Sequence, residues 1–159
     1  MRHLSSTTPG LPRLLRLVSG RRALVVEAAL YLLLTQVTLT LVSFPKLARR
    51  LGGCVQPADP RAAQARRGTR PGQSLVALEI GWAVARAAQR IPFEVMCLPR
   101  AMSARAMLAR RGIGSVLHFG RAAGKQAPMA AHVWLDAAGI QVTGYPVGDE
   151  FIEIACFVV

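Results

Sequence analysis

Cys97 and His132 are the two residues whose types and spacing are best suited to covalent chemistry. Cys97 opens the segment CLPRAMSARAMLARRGI, which has a helical pattern with Pro99 near its start, where the missing N–H of proline is tolerated. The thiolate is the nucleophilic form of cysteine, and a helix N-terminus favours its negative charge. His132 follows 35 residues later in AAHVWLD, an alternating pattern typical of a strand. This arrangement predicts a nucleophile and base for acyl transfer, with the N–H of Cys97 in the oxyanion hole.

The other cysteines and histidines fit this chemistry less well. Cys54 and Cys156 are interpreted as structural, and three widely spaced cysteines predict neither a disulfide framework nor a zinc site. His3 lies near the terminus, and His118 in VLHFG is the alternative base. The competing interpretation of Cys97 is a small buried apolar side chain.

Helical periodicity precedes strand periodicity along the chain, which predicts an α+β fold with the Cys97 helix packed on a small antiparallel sheet. Ser74 is the expected cap of the second long helix, and a short helix is expected to end near Ser19 and Gly20. The remaining helices are predicted over 23–44, after Ser43, over 74–90 and from Cys97 to Gly112. The strands are predicted over 115–120, 129–136, 140–145 and 151–159.

Three regions are distinguished by composition. Residues 1–53 are expected to form an N-terminal helical segment, and residues 54–71, rich in proline and arginine, a basic linker. Residues 72–159 are then the core that contains both Cys97 and His132.

The charge and the most apolar segment limit the partners. The net charge of +12 suggests an acidic partner, but few aromatic residues and no nucleic-acid motif argue against nucleic acid. Residues 23–44 are long enough to span a bilayer, although Glu27 and Gln36 favour a buried core helix.

No signal peptide is recognised, and sparse cysteine fits a reducing compartment. A cytoplasmic location is expected, with membrane association through residues 23–44 as the alternative.

The segments around Cys97 and His132 resemble a known family. CLPRA at 97–101, RRGI at 110–113 and AHVW at 131–134 are similar to the transglutaminase-like domain of lasso peptide leader peptidases, the stand-alone proteases of the microcin-processing type. The helical segment ALVVEAALYLLLTQ and FPKLARRLGG resembles the lead-in of that form. The resemblance therefore extends over nearly the whole chain.

This resemblance implies a cysteine protease that removes the leader from a ribosomally made lasso peptide precursor. The family acts with a separate leader-recognition protein and upstream of an ATP-dependent macrolactam cyclase. It uses no metal or cofactor. Two alternatives remain: a transglutaminase-like acyl transferase with the same Cys–His pair, and a non-catalytic membrane-associated scaffold.

The sequence departs from the family at the third catalytic position. The family's orienting acid lies about twelve residues past the histidine, and Gly144 stands there. Asp136 shares a face with His132 but is expected about 13 Å away along the strand. Asp149 and Glu150, past the next turn, are the other candidate acids. A backbone carbonyl or a water is the further alternative for orienting the ring.

Overall fold

A computed structural model describes residues 11–49, 51–67, 70–123 and 130–158. All five helices of the described chain precede four of its five strands. The helices are α1 (Leu11–Leu41), α2 (Phe44–Ala48), α3 (Pro60–Arg66), α4 (Gln73–Ala88) and α5 (Cys97–Ala109). The strands are β1 (Gly53–Val55), β2 (Val116–Ala122), β3 (Ala131–Ala137), β4 (Ile140–Thr143) and β5 (Phe151–Val158).

The strands form one antiparallel sheet in the order β1-β5-β2-β3-β4. A tight turn joins β3 to β4, with Ala138 and Gly139 at φ of 50° and 77°. Val133, Trp134 and Leu135 are buried in succession in β3, so both faces of the sheet are covered at its centre. The α+β class predicted from the sequence is confirmed.

The helices and the sheet pack in layers. Helices α4 and α5 cover one face of the sheet, and α1 lies outside them. The short helix α3 lies on the opposite face, where its buried Ala62 packs with Val55, Val116 and Cys156. The main core is built from small side chains on the helices, which allow close approach, and from larger ones on the strands. Its members include Ala77, Ile80, Ala101, Ala104, Leu117, Val133 and Leu135.

Helix α1 is a single helix of 31 residues, so the expected break near Ser19 and Gly20 is wrong. A glycine inside a helix costs only about 1 kcal/mol, which the packing of a long helix readily offsets. Ala28 and Leu32 are fully buried against the domain. The hydroxyl of Ser103 on α5 lies 3.2 Å from that of Thr35 and links the two helices.

Two elements lie within 54–71, the range expected to be a linker: residues 54 and 55 belong to β1, and 60–66 form α3. β1 pairs with β5, and Asp59 begins α3 by accepting a hydrogen bond from the N–H of Arg61 at 2.8 Å. The N–H of Gly139 donates to the carbonyl of Arg66 at 2.7 Å. The expected cap at Ser74 is also wrong, because its hydroxyl donates to the carbonyl of Ala138 while Gly72 is the N-cap of α4.

Strand β5 is covered along only half of its outer edge. β1 pairs with Cys156–Val158, whereas the preceding residues have β2 on one side and no partner strand on the other within the described chain. Ile152 and Ile154, in this uncovered half, are both exposed. This stretch of the described sheet is therefore a bare strand edge that carries exposed large apolar side chains.

Glu27 ties α1 to the end of α5, and replacing it should destabilise the fold in a pH-dependent way. The Arg111 guanidinium donates to both Glu27 oxygens, at 2.9 and 2.7 Å. These bonds lower the pKa of Glu27, although burial opposes them. We expect Glu27→Gln to lower the free energy of unfolding by about 1 kcal/mol at neutral pH.

Because the folded-state pKa of Glu27 is lowered, its contribution is present above the unfolded pKa and is lost as pH falls through the folded one. Urea unfolding of the wild type and the variant should therefore differ at neutral pH and converge at strongly acidic pH. Glu79→Gln, on the surface of α4, is the matched control and should unfold like the wild type. An equal loss at both pH values would contradict a role for the charge.

Candidate active site

Cys97 is the first residue of α5, as its helical pattern predicts. The buried residues Ala101, Ala104, Met107 and Leu108 give α5 a continuous face against the core, and Gly112 at φ 66° follows its end. Met96 is the N-cap and supplies no side-chain hydrogen bond, so the first N–H groups of α5 have no capping side chain. The thiol is partly exposed and, among the described residues, makes no hydrogen bond.

His132 lies near the start of β3 with its ring fixed by a backbone group. Its Nε2 is 2.7 Å from the carbonyl oxygen of Gly144. A carbonyl oxygen only accepts, so Nε2 must carry the hydrogen, and in the neutral ring Nδ1 then has the free lone pair. The ring also packs against Trp134 and Phe151, with centroids 5.9 and 5.1 Å away.

Gly144 occupies a position that no side chain can enter. Its φ is 83°, and a Cβ built there would lie 2.5 Å from the carbonyl oxygen of Val133 and 2.8 Å from the Cα of Trp134. An acid at this position would therefore collide with the backbone of β3. Because Gly144 lies so close to β3, no carboxylate side chain fits at this position. The main-chain carbonyl of Gly144 takes its place as the hydrogen-bond acceptor for the His132 imidazole.

The three candidate acids lie elsewhere. Asp136 accepts a hydrogen bond from the Tyr145 hydroxyl at 2.5 Å and lies beside His118. Asp149 and Glu150 are exposed in the turn before β5. Within the part of the chain that the structure describes, no carboxylate hydrogen-bonds to His132. The sequence reasoning rightly kept a backbone carbonyl as an alternative but did not identify which one.

A second polar cluster surrounds His118, which sequence reasoning had set aside as a runner-up base. His118 is 1% exposed, with Nδ1 2.6 Å from a Glu153 oxygen and Nε2 3.4 Å from an Asp136 oxygen. Its ring stacks on Trp134, with centroids 5.4 Å apart and planes 5° from parallel. Alternation puts Trp134 and Asp136 on one face of β3, and the pairing of His118 with Trp134 brings His118 to the same face.

Hydrogen bonding also controls the ionisation of this cluster. Burial by itself would raise the pKa of Asp136, but the His118 ring, with Nε2 3.4 Å away, and the hydrogen bond from Tyr145 keep that pKa below its ordinary value. Burial and the nearby Asp136 raise the pKa of Tyr145 well above the usual range. Asp136 is therefore a carboxylate and Tyr145 a neutral hydrogen-bond donor at neutral pH. The Trp134 ring packs against both His118 of this cluster and His132.

The two faces of β3 limit how Cys97 and His132 can meet. Val133 and Leu135 pack in the core with α5, so His132 and Trp134 lie on the other face. A pair between thiol and imidazole must therefore form around the end of β3, where Ala131 is exposed. Arg100, one turn after Cys97, lines a cavity of about 220 Å³ together with Gly144, which brings the start of α5 to the same end of the sheet.

The Cys97–His132 pairing remains a prediction. The structure places Cys97 at the start of α5 and His132 beside Gly144. No group of three His, Cys, Asp or Glu side chains within the described residues is arranged to hold a metal ion.

An α+β domain with a cysteine at a helix start and a histidine on an antiparallel sheet has the architecture of a thiol enzyme that acts on acyl groups. A sequence model described as the transglutaminase-like superfamily matches residues 38–155, most of the chain, and the protein belongs to this superfamily. The superfamily commonly comprises cysteine peptidases and transferases. Neither the curated proteins nor the solved structures contain a match to this chain.

Proposed function

We propose that this protein is a cysteine peptidase that removes the leader peptide from a lasso peptide precursor. The observation that carries the proposal is the hydrogen bond between His132 Nε2 and the Gly144 carbonyl. It sets the tautomer that leaves Nδ1 as a base and orients the ring without an acid. Membership of the superfamily supports the broader class of cysteine protease or acyltransferase.

In this mechanism Nδ1 of His132 takes the proton of the Cys97 thiol. The thiolate attacks the carbonyl carbon of the scissile amide, and the oxyanion accepts hydrogen bonds from the uncapped N–H groups at the start of α5. The imidazolium then gives its proton to the leaving amine as the C–N bond breaks. Throughout, the Gly144 carbonyl accepts from Nε2–H and so stabilises the ring when it is charged.

Hydrolysis completes the cycle. His132 takes a proton from a water molecule, whose oxygen attacks the thioester carbon. The bond to sulfur breaks, the leader leaves as a carboxylic acid, and the imidazolium returns the proton to the Cys97 sulfur. No redox partner or metal is required, because every step moves protons and acyl groups only.

The substrate and partners rest on the resemblance of CLPRA, RRGI and AHVW to lasso peptide leader peptidases. They are a precursor peptide, a separate leader-recognition protein and an ATP-dependent macrolactam cyclase that receives the released core. The cytoplasm is the compartment in which these components would meet. Exposed Met96 and Phe93, beside Cys97, offer an apolar contact for the residues that flank the scissile bond.

The second candidate function is acyl transfer, because the superfamily comprises transferases as well as peptidases. The same thioester resolves onto an amine instead of water, giving a crosslink or an acylated amine. A non-catalytic scaffold is the third candidate, suggested by the apolar surface of α1.

Mass spectrometry of a reconstituted reaction separates these functions. The protein is mixed with the precursor and its leader-recognition protein, and with the precursor alone. Free leader carrying one oxygen from labelled water establishes hydrolysis. A product joined to a lysine or to an added amine establishes transfer and overturns the peptidase proposal, and an unchanged precursor in both mixtures overturns both enzymatic functions.

A further inference from the structure

Most of the exposed large apolar side chains of the described chain lie on two neighbouring helices. Nine of thirteen belong to α1 and α4, and the remaining four lie in the loop before α5 and in β5. We call these nine the two-helix face. Its members are Val26, Leu30, Leu33, Leu34, Val37 and Leu41 on α1, and Leu75, Leu78 and Trp82 on α4.

The two helices form this face together because they pack against each other. Val26, midway along α1, lines the same groove as Trp82 on α4. At about 100° per residue, the six α1 residues fall within an arc of about 100°, the width of an apolar stripe that seeks a partner. Between Arg22 and Lys46 the only charged residue is Glu27, which points to α5 and is bound by Arg111.

One side of α1 packs on the domain, and only the other side can contact a membrane or a partner. The stretch Gly20–Leu41 is long and apolar enough to cross a membrane, with a mean hydropathy of 1.8. Its other side, however, is occupied by the domain, because Ala28 and Leu32 are buried and Thr35 contacts Ser103. In this fold α1 therefore lies along the domain, and its free side is available to a surface, not to a surrounding bilayer.

Four arginines adjoin one end of the face. Arg21, Arg22, Arg86 and Arg90 line a groove of about 540 Å³ with Val25, Val26 and Trp82, and no acidic residue lines it. The Arg21 guanidinium lies 5.1 Å from the centroid of the Trp82 ring. Arginine forks bind phosphate oxygens, and tryptophan prefers the boundary between water and lipid chains.

We propose that the two-helix face docks on the surface of an anionic lipid bilayer. α1 and α4 lie in the plane of the interface, with their leucines and valines below the headgroups and the four arginines on lipid phosphates. The charge complementarity of the arginines with a phosphate surface and the absence of exposed charge along the α1 part of the face favour lipid over a protein partner. Because the layer of α4 and α5 separates α1 from the sheet, the sheet stays in water.

Vesicle co-sedimentation of the full chain tests this proposal. We expect binding to vesicles of phosphatidylcholine mixed with phosphatidylglycerol, and much weaker binding to phosphatidylcholine alone. Arg86→Gln combined with Arg90→Gln should weaken binding to the anionic vesicles about 20-fold. Leu30→Ser combined with Leu34→Ser should weaken it at least about tenfold.

Matched variants separate this site from general attraction of a basic protein. Arg67→Gln with Arg121→Gln removes the same charge elsewhere, and Ile152→Ser with Ile154→Ser removes exposed apolar surface elsewhere. Both should bind anionic vesicles like the wild type, and circular dichroism should show all variants folded. Equal losses in the face and control variants would overturn the proposal, as would no binding to either vesicle.

The oligomeric state distinguishes a protein interface from a lipid one. Light scattering after gel filtration should show a monomer in the wild type. A wild-type dimer that Leu30→Ser with Leu34→Ser dissociates would assign the face to a second copy and overturn the lipid proposal. The peptidase assay plays no part in this test, so it stands or fails independently of the proposed function.

Discussion

Replacing Cys97 by alanine should lower the rate of precursor cleavage by at least about 10³-fold, because the variant cannot form the thioester. The domain should remain folded, since Cys97 is partly exposed at a helix start and is packed only at the margin of the core. The measurement is leader release under single-turnover conditions, with the free energy of unfolding determined alongside it. His132→Ala should show a loss of similar size.

The controls for this prediction are variants of the two other cysteines and of His118. Cys54→Ala, in exposed β1, should cleave at the wild-type rate. Cys156→Ala changes a buried thiol whose pKa is raised by burial. Any loss of cleavage in this variant should match its loss of folded protein, with the rate per folded molecule unchanged. If Cys97→Ala cleaves like the wild type and His118→Gln does not, the base and nucleophile have been assigned to the wrong residues.

Gly144→Ala should both destabilise the fold and impair catalysis. The added methyl group would lie 2.5 Å from the Val133 carbonyl, in a conformation with φ of 83° that side chains rarely adopt. We expect the free energy of unfolding to fall by about 2–4 kcal/mol. Since β4 must move away from β3, the Gly144 carbonyl leaves His132, and cleavage should fall by about 10²-fold or more in the molecules that remain folded.

Gly139→Ala is the matched control for Gly144. It has nearly the same φ, 77°, but nothing within 4 Å of the added methyl group. It should therefore cost only the backbone strain, about 1–2 kcal/mol, and leave the rate of cleavage per folded molecule unchanged. A folded Gly144→Ala protein that cleaves at the wild-type rate would show that the carbonyl does not position the imidazole.

The sequence predicted those elements that have a strong local pattern. Strands β2 to β5 followed from period-two alternation, and the start of α5 followed from Pro99 and from the apolar positions after Cys97. The length of α1 was misread because Gly20 was interpreted as a helix stop, whereas packing against α4 and α5 carries the helix through it. Residues 54–71 look like a linker because β1 and α3 are held by neighbours distant in sequence.

The residues of the candidate site also fall into those that the sequence predicted and those that only the structure shows. Cys97 and His132 were selected by residue type and spacing, and their pairing is still to be tested. The acceptor for His132 had no sequence signature of its own, because a main-chain carbonyl is present in every residue. The cluster of His118, Asp136 and Glu153 depends on the register between β2, β3 and β5, which one sequence does not specify.

The half-covered strand β5 has a consequence for how the molecule behaves in concentrated solution. An unpaired strand edge offers main-chain donors and acceptors to any other chain, and exposed Ile152 and Ile154 add apolar surface beside it. The same half-strand of a second molecule is its most readily available complement. Self-association by edge pairing, and with it the practical limit of solubility, will therefore begin at this uncovered half of β5.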